Sequence, residues 1–389
     1  MPISDKHIPE LDGLRGIAIL LVLVWHFTGM LVDPDQGNVQ YLAWRYLIFG
    51  QSGVDLFFVL SGFLIIGILV DNRGSPNYFK TFYIRRALRI LPPYLILVGG
   101  FWSCVIVGLP YFDRQIPLWS LLTFTQNWVM ASLNSYGGMS IAATWSLAIE
   151  EQFYLFAPAL VLLLPSRLLP KALITVGAIS VMARSTCFYL WPENVYAPYV
   201  LTPLRLDGLC VGGLIAIAYR NPTIWAGILL RRMVLLVVLG ALVAAIPFYT
   251  WFLRSSLGHF VLYHFGLTYL AFLYGASLTS ILIWSGTPAL AWLRTTSLIG
   301  VGLVSYSLYL FHPTFKGLFF VLAHRESVVL RTPLDAALLA AAFVSTFVFC
   351  FVLRRYIELP AQELGKRFRY DEPRSAVHNA AIPVSDLGR

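Results

Sequence analysis

Residues 11–32 read LDGLRGIAILLVLVWHFTGMLV, a run apolar enough to enter a bilayer that nonetheless carries Asp12, Arg15 and His26. About twenty consecutive apolar residues suffice to cross a membrane as a helix. A charge at the centre of such a helix costs roughly 2.5–3.5 kcal/mol on insertion scales, so it is either paired or put to use. Arg15 and His26 are eleven positions apart. At about 100° per residue that is close to three turns, which puts both on one face, about 16 Å apart along the axis. Two readings follow. In the structural one, Arg15 pairs with Asp12 at i,i+3 and His26 bonds a backbone carbonyl. In the functional one, Arg15 receives an anionic ligand and His26 transfers protons in a partly dry site.

The rest of the chain has the same character. Of 389 residues 58% are hydrophobic and only 12% charged, against about 25% charged in soluble domains. The expectation is an all-α polytopic membrane protein. About ten spans are drawn, at residues 14–32, 53–70, 90–110, 144–164, 172–190, 204–219, 233–252, 259–284, 297–322 and 334–353. The less apolar segment 118–133 is expected to lie in the interface or to re-enter. With the N-terminus inside, the inner segments hold nineteen Lys and Arg and the outer loops five. This positive-inside bias predicts two cytoplasmic termini. The net charge of +9 is therefore read as topology, and no nucleic-acid partner is expected. The first span is read as retained and not cleaved, because it is full length and carries polar groups. Residues 1–370 are expected to form one membrane domain, and the polar segment 371–389 a disordered cytoplasmic tail.

Cys104, Cys187, Cys210 and Cys350 fall in apolar segments without CxxC or His spacing, and are read as buried hydrophobes, with no metal site. HExxH, Walker and GxSxG patterns are missing, which disfavours a zinc protease, an ATPase and a serine hydrolase.

Three further clusters carry possible chemistry. In YFKTFYIRRALRILPPY, Arg86 and Arg89 share a helix face, as do Arg85 and Arg89. Basic residues are common at an inner membrane boundary, but three guanidinium groups this close suit a phosphorylated ligand. In ATWSLAIEEQFYLF, Glu150 and Glu151 stand early in a span. Being consecutive, they diverge, so one at most faces a given site; it either pairs with an intramembrane Arg or orients a reacting group. Trp145 and Ser146 are candidates to line the same cavity. In SYSLYLFHPTFKG, Ser305, Tyr309, His312 and Lys316 form one polar stripe along a span, the pattern of a ligand-lined path. Asp55 and the Arg205–Asp207 group are read as pairing partners. Arg184 needs a partner, with Glu150 or Glu151 as candidates.

Taken together, IPELDGLRGIAILLVLVWHF, GVDLFFVLSGFLI, FYIRRALRILPPY, TWSLAIEEQFYLF, RLDGLCVGGLIA and SYSLYLFHPTF resemble the acyltransferase-3 family, in order and over nearly the whole chain. The resemblance implies transfer of an acyl group, usually acetyl, from cytoplasmic acyl-CoA to a carbohydrate hydroxyl. The partners would be a glycan or lipid-linked sugar acceptor, acyl-CoA and membrane lipid. The family's Arg-x10-His element falls on Arg15 and His26, its Arg-x-x-Arg element on Arg86 and Arg89, and its acidic span on Glu150 and Glu151. On that basis Arg85, Arg86 and Arg89 are expected to hold acetyl-CoA as co-substrate. Arg15, His26, Glu150 and Glu151 are expected at the reacting centre, and Asp12, Trp145, Ser146, Tyr309 and His312 around the substrate. His26 would act as general base or carry the acyl group transiently. Some members carry an additional C-terminal hydrolase-like domain; a stand-alone member is expected here. The competing reading is a secondary transporter for a sugar-like or anionic solute, with His26 and Glu150 as proton relays.

Overall fold

The computed structural model describes residues 7–32, 35, 37–109, 112, 114–253, 257–324 and 332–371. The tail expected to be disordered lies outside these residues, except for Asp371. Every regular element among the described residues is helical. The principal helices are α1 (Pro9–Phe27), α2 (Gly53–Asp71), α3 (Tyr78–Val107), α4 (Thr144–Leu163), α5 (Leu169–Leu190) and α6 (Asp207–Arg220). They are followed by α7 (Arg232–Ala244), α8 (Leu267–Trp284), α9 (Thr296–Leu303), α10 (Ser305–Leu322), α11 (Pro333–Leu353) and α12 (Leu359–Lys366). Among the described residues, eight helical stretches are long and apolar enough to cross a membrane, or nine if α9 and α10, bent by 69°, count as one. Large apolar side chains such as Ile106, Leu155, Phe156 and Val237 stand exposed on the outside of the bundle, as expected where lipid is the solvent.

The difference from ten spans lies at residues 204–219. There α6 has 14 residues, about 21 Å of helix, shorter than a hydrocarbon core about 30 Å thick. Arg205 and Arg220 nevertheless pair with Asp55 and Asp71 at the two ends of α2, so the segment still runs the depth of that helix. It is held within the bundle by α2, α5 and α8, which bury Asp207 through Cys210, Gly212, Gly213 and Ala216. The crossing of α2 and α6 is very close. A Cβ built on Gly62 would lie 2.0 Å from the Leu209 carbonyl oxygen, and one on Gly212 would lie 2.0 Å from that of Val59. Small residues let two backbones meet in a bundle that gains little from the hydrophobic effect inside lipid.

Two other segments refine the sequence expectation. Helix α3 starts at Tyr78, not near Ile90, and runs through Pro92 and Pro93 without ending. The arginine cluster therefore sits on a helix that points into the bundle. Segment 118–133 folds as two short helices, Leu118–Leu122 and Gln126–Ser132, separated at Phe124, whose φ is +54°.

The α2–α6 crossing makes a direct prediction. Gly212→Val should lower the thermal melting temperature of the detergent-purified protein, at an overpacking cost of about 1–3 kcal/mol or more. Gly240→Val on α7, where an added Cβ meets nothing within 4 Å, should leave it unchanged. Equal melting of the two variants would refute the close-crossing account.

Candidate active site

Three concavities lie in series along α2. One is lined at its N-terminal end by Ser52 and Asp55, a central one by residues from Val54 to Ile65, and one at its C-terminal end by Ile68 and Asp71. The central cavity offers about 820 Å³ of empty space, part of it open to the outside of the bundle. Its apolar floor comes from α2, including Phe57, Phe58 and Leu64. Polar groups converge on it from four other helices: Arg15 from α1, Arg86 and Arg89 from α3, Ser146, Glu150 and Tyr154 from α4, and Ser305, Tyr306 and Tyr309 from α10. Because α9 breaks from α10 at Val304, the first turn of α10 can form part of the wall.

The two ends of this cavity differ electrostatically. At the basic end, Arg15 donates from Nη1 to Asp12 Oδ1 at 2.8 Å, and His7 Nε2 lies 2.7 Å from Asp12 Oδ2. The structural pairing allowed by the spacing is thus present, yet Arg15 still reaches the cavity. Arg86 and Arg89 make no hydrogen bond or ion pair with any described residue, and neither Glu150 nor Glu151 lies within ion-pair distance of an arginine. Glu150 lines the cavity; Glu151 points elsewhere, and its Oε1 is buried without a partner. One of two consecutive carboxylates faces the site, as helix geometry requires.

At the other end, the Ser146 and Tyr309 hydroxyls lie 2.6 Å apart. One turn beyond Tyr309, His312 is fully buried, and its ring meets His26 edge-on with centroids 4.7 Å apart. His26 Nδ1 donates to the Val22 carbonyl at 2.8 Å, while His312 Nδ1 donates to the carbonyls of Leu308 and Tyr309 at 3.0 and 2.9 Å. A carbonyl only accepts, so each Nδ1 carries the proton, and in the neutral rings each Nε2 keeps its lone pair. The His312 Nε2 is buried with no partner. Lys316 Nζ donates to the His26 carbonyl at 2.8 Å and ties α10 to the end of α1. The stripe Ser305–Tyr309–His312–Lys316 therefore runs from the cavity wall to His26.

The structure does not gather every expected residue. His26 does not itself line the cavity; Tyr309 and His312 lie between. Asp12 is occupied by Arg15 and His7. Arg85 turns away to the concavity at the end of α2. Trp145 belongs to a separate cluster in which the Arg205 guanidinium lies over Tyr199, Phe58 and Trp145, at 4.8, 5.5 and 5.6 Å from the ring centroids. Arg205 Nη2 also donates to Asp55 at 2.7 Å. Arg184 is paired with Asp207 at 3.0 Å, not with Glu150 or Glu151, and also bonds Thr268 and the Tyr263 and Leu204 carbonyls. Sequence reasoning missed Ser61, whose hydroxyl lies 2.5 Å from that of Tyr154, and Tyr154 itself. The signal was there: Ser146, Glu150 and Tyr154 recur at i, i+4 and i+8 on one face of α4. It also missed the buried Glu358, which accepts a hydrogen bond from Ser307.

This sorting of charges is testable by stability alone. Arg205→Ala leaves Asp55 buried without its cation and should cost about 3–5 kcal/mol. Arg89→Ala removes a charge that has no protein partner and should leave thermal unfolding close to wild type. The measurement is melting in detergent, and a large loss with Arg89→Ala would contradict the assignment of Arg89 as a free cation.

O-acetyltransferase OatA of Staphylococcus aureus strain NCTC 8325 is 25% identical over 382 residues, and the match covers 93% of this chain and 58% of OatA. A second staphylococcal protein, SACOL0978 of strain COL, whose name marks it provisionally as an O-acetyltransferase, is 26% identical over 383 residues, covering 92% of this chain and 58% of its own. The chain thus spans less than two thirds of the length of these relatives. No solved structure matches. The profile of the acyltransferase-3 family, described as an acyltransferase domain, matches residues 8–355, from α1 to the end of α11, and the chain belongs to that family.

Proposed function

We propose that this protein moves an acetyl group from acetyl-CoA to a hydroxyl of a cell-surface carbohydrate, from the bacterial inner membrane and with both termini in the cytoplasm. The observation that carries the reading is the polarity of the central cavity. Two guanidinium groups without a partner among the described residues stand at one end, and two imidazoles whose Nε2 atoms bond no described residue lie beyond the other. An anionic donor suits Arg86 and Arg89, which have no other counter-charge. Residues 54–65 of α2 cover about 16 Å, a length comparable to an extended pantetheine arm. The relatives named O-acetyltransferase favour acetyl as the group transferred.

Acetyl-CoA supplies an activated thioester carbonyl, and the protein positions and exchanges protons around it. Ser146 Oγ also lies 3.3 Å from the Ala143 carbonyl; with Ser146 donating, the Tyr309 proton is left to point toward a carbonyl oxygen in the cavity. His26 Nε2 accepts the proton of the acceptor hydroxyl as its oxygen attacks. A C–O bond forms, the C–S bond breaks, and His26 returns the proton to the leaving thiolate, so that it ends neutral. His312 holds the His26 ring edge-on, and Glu150 orients groups within the cavity.

The test uses the full chain purified in detergent, radiolabelled acetyl-CoA and a glycan with free hydroxyls. The expected result is an O-acetylated glycan. His26→Ala should reduce transfer by about 10²-fold or more with melting unchanged. Wild-type rates in that variant would remove His26 from the mechanism. Solute uptake into vesicles with no acetyl-CoA consumption would replace the enzyme reading with a transporter.

A further inference from the structure

The concavity at the C-terminal end of α2 offers about 910 Å³ of empty space, part of it open to solvent, and shares Arg86 with the central cavity. Its remaining basic wall comes from Arg85 on α3 and from Arg369, beyond α12. Helix α12 packs along α3, with Gly365 facing Leu88 and Arg85. The chain then crosses the start of α3 as a strap. Asn77 fastens it at both ends of its amide: Nδ2 donates to the Arg369 carbonyl at 2.9 Å, and Oδ1 accepts from the Asp371 N–H at 3.1 Å. This brings the Tyr370 ring to 5.7 Å from the Arg85 guanidinium. The Tyr370 hydroxyl is buried without a hydrogen-bond partner.

The charges here are unbalanced. The nearby carboxylate, Asp71, is taken by Arg220 through two bonds of 2.6 and 2.7 Å. No carboxylate among the described residues lies within ion-pair distance of Arg85, Arg86 or Arg369. Three guanidinium groups without counter-ions, an aromatic ring and an unsatisfied hydroxyl match a phosphorylated purine nucleotide: phosphates take bidentate guanidinium contacts, and a base stacks on an aromatic or guanidinium plane. Arg86, shared by the two concavities, then stands where the nucleotide would pass into the arm.

We propose that this pocket receives the phosphorylated adenosine head of the acyl donor and that the C-terminal strap, through Arg369 and Tyr370, clamps it. The proposal rests on the acyl-CoA reading above but is separable from it, because the nucleotide head can be tested without chemistry.

The experiment measures binding of adenosine 3′,5′-bisphosphate to the full chain in detergent by calorimetry, and the KM for acetyl-CoA in the transfer assay. Arg369→Ala and Tyr370→Ala should each weaken bisphosphate binding and raise KM by about tenfold, the loss expected of a charge-assisted or stacking contact. The change in KM should exceed any change in kcat. Asn77→Ala, which frees the strap without touching the pocket charges, should shift both in the same direction. Arg367→Ala, outside the pocket, should leave both unchanged. Wild-type binding and KM in the Arg369 and Tyr370 variants would overturn the clamp. So would displacement of the bisphosphate by phosphatidylglycerol nanodiscs at lower concentration than by acetyl-CoA, which would make this a lipid-headgroup site. Transfer from acetyl-CoA with no bisphosphate binding would refute the pocket and leave the function standing; bisphosphate binding with no transfer would do the reverse.

Discussion

A charge withheld from water must find an opposite charge, and this requirement organises the bundle. Arg205 has Asp55, Arg184 has Asp207, Arg220 has Asp71, and Arg294 has the buried Glu10 at 2.7 Å. Each pair joins segments far apart in sequence and fixes how the helices meet. Against that background, the guanidinium groups of Arg86 and Arg89 stand out. Both are half-buried and have no ion-pair partner among the described residues, and an unpaired charge withdrawn from water is costly, which is what an anion arriving from outside would relieve.

Much of this was legible from local patterns. The apolar runs located the long helices, the i,i+3 spacing anticipated the Asp12–Arg15 pair, and the stripe on α10 was visible from Ser305 to Lys316. The limits were of two kinds. Long-range partners are not encoded in spacing: Arg184 finds Asp207 and not Glu150, because α5 packs on α6, and that packing depends on glycines whose meaning appears only when two backbones meet. Helix boundaries were the other limit. The span drawn from Ile90 begins at Tyr78 in the structure, and α3 passes through Pro92 and Pro93, since neighbouring helices can satisfy the freed carbonyls. Arg85, Arg86 and Arg89 are therefore helical residues distributed between two concavities, where the sequence read them as one cluster at a span's edge.

Arg15 and His26 share one face of α1, yet of the two only Arg15 lines the central cavity. The face is continuous, but what covers it changes. Near Arg15 the opposing surface is the open cavity; near His26 it is α10, with His312 and Lys316 in contact. The distance along α1 becomes a change of environment, from a place for anions to a place for neutral imidazoles.

The Arg205 cluster has a consequence for the cavities themselves. Arg205 touches Asp55 and Tyr199, which line the concavity at the start of α2, and Phe58, which lines the central one. It therefore stands in the wall between the two. Its charge is matched by Asp55 and its guanidinium lies against three aromatic rings, so the residue that anchors α2 against the loop before α6 is also the partition between two hollows in the bundle.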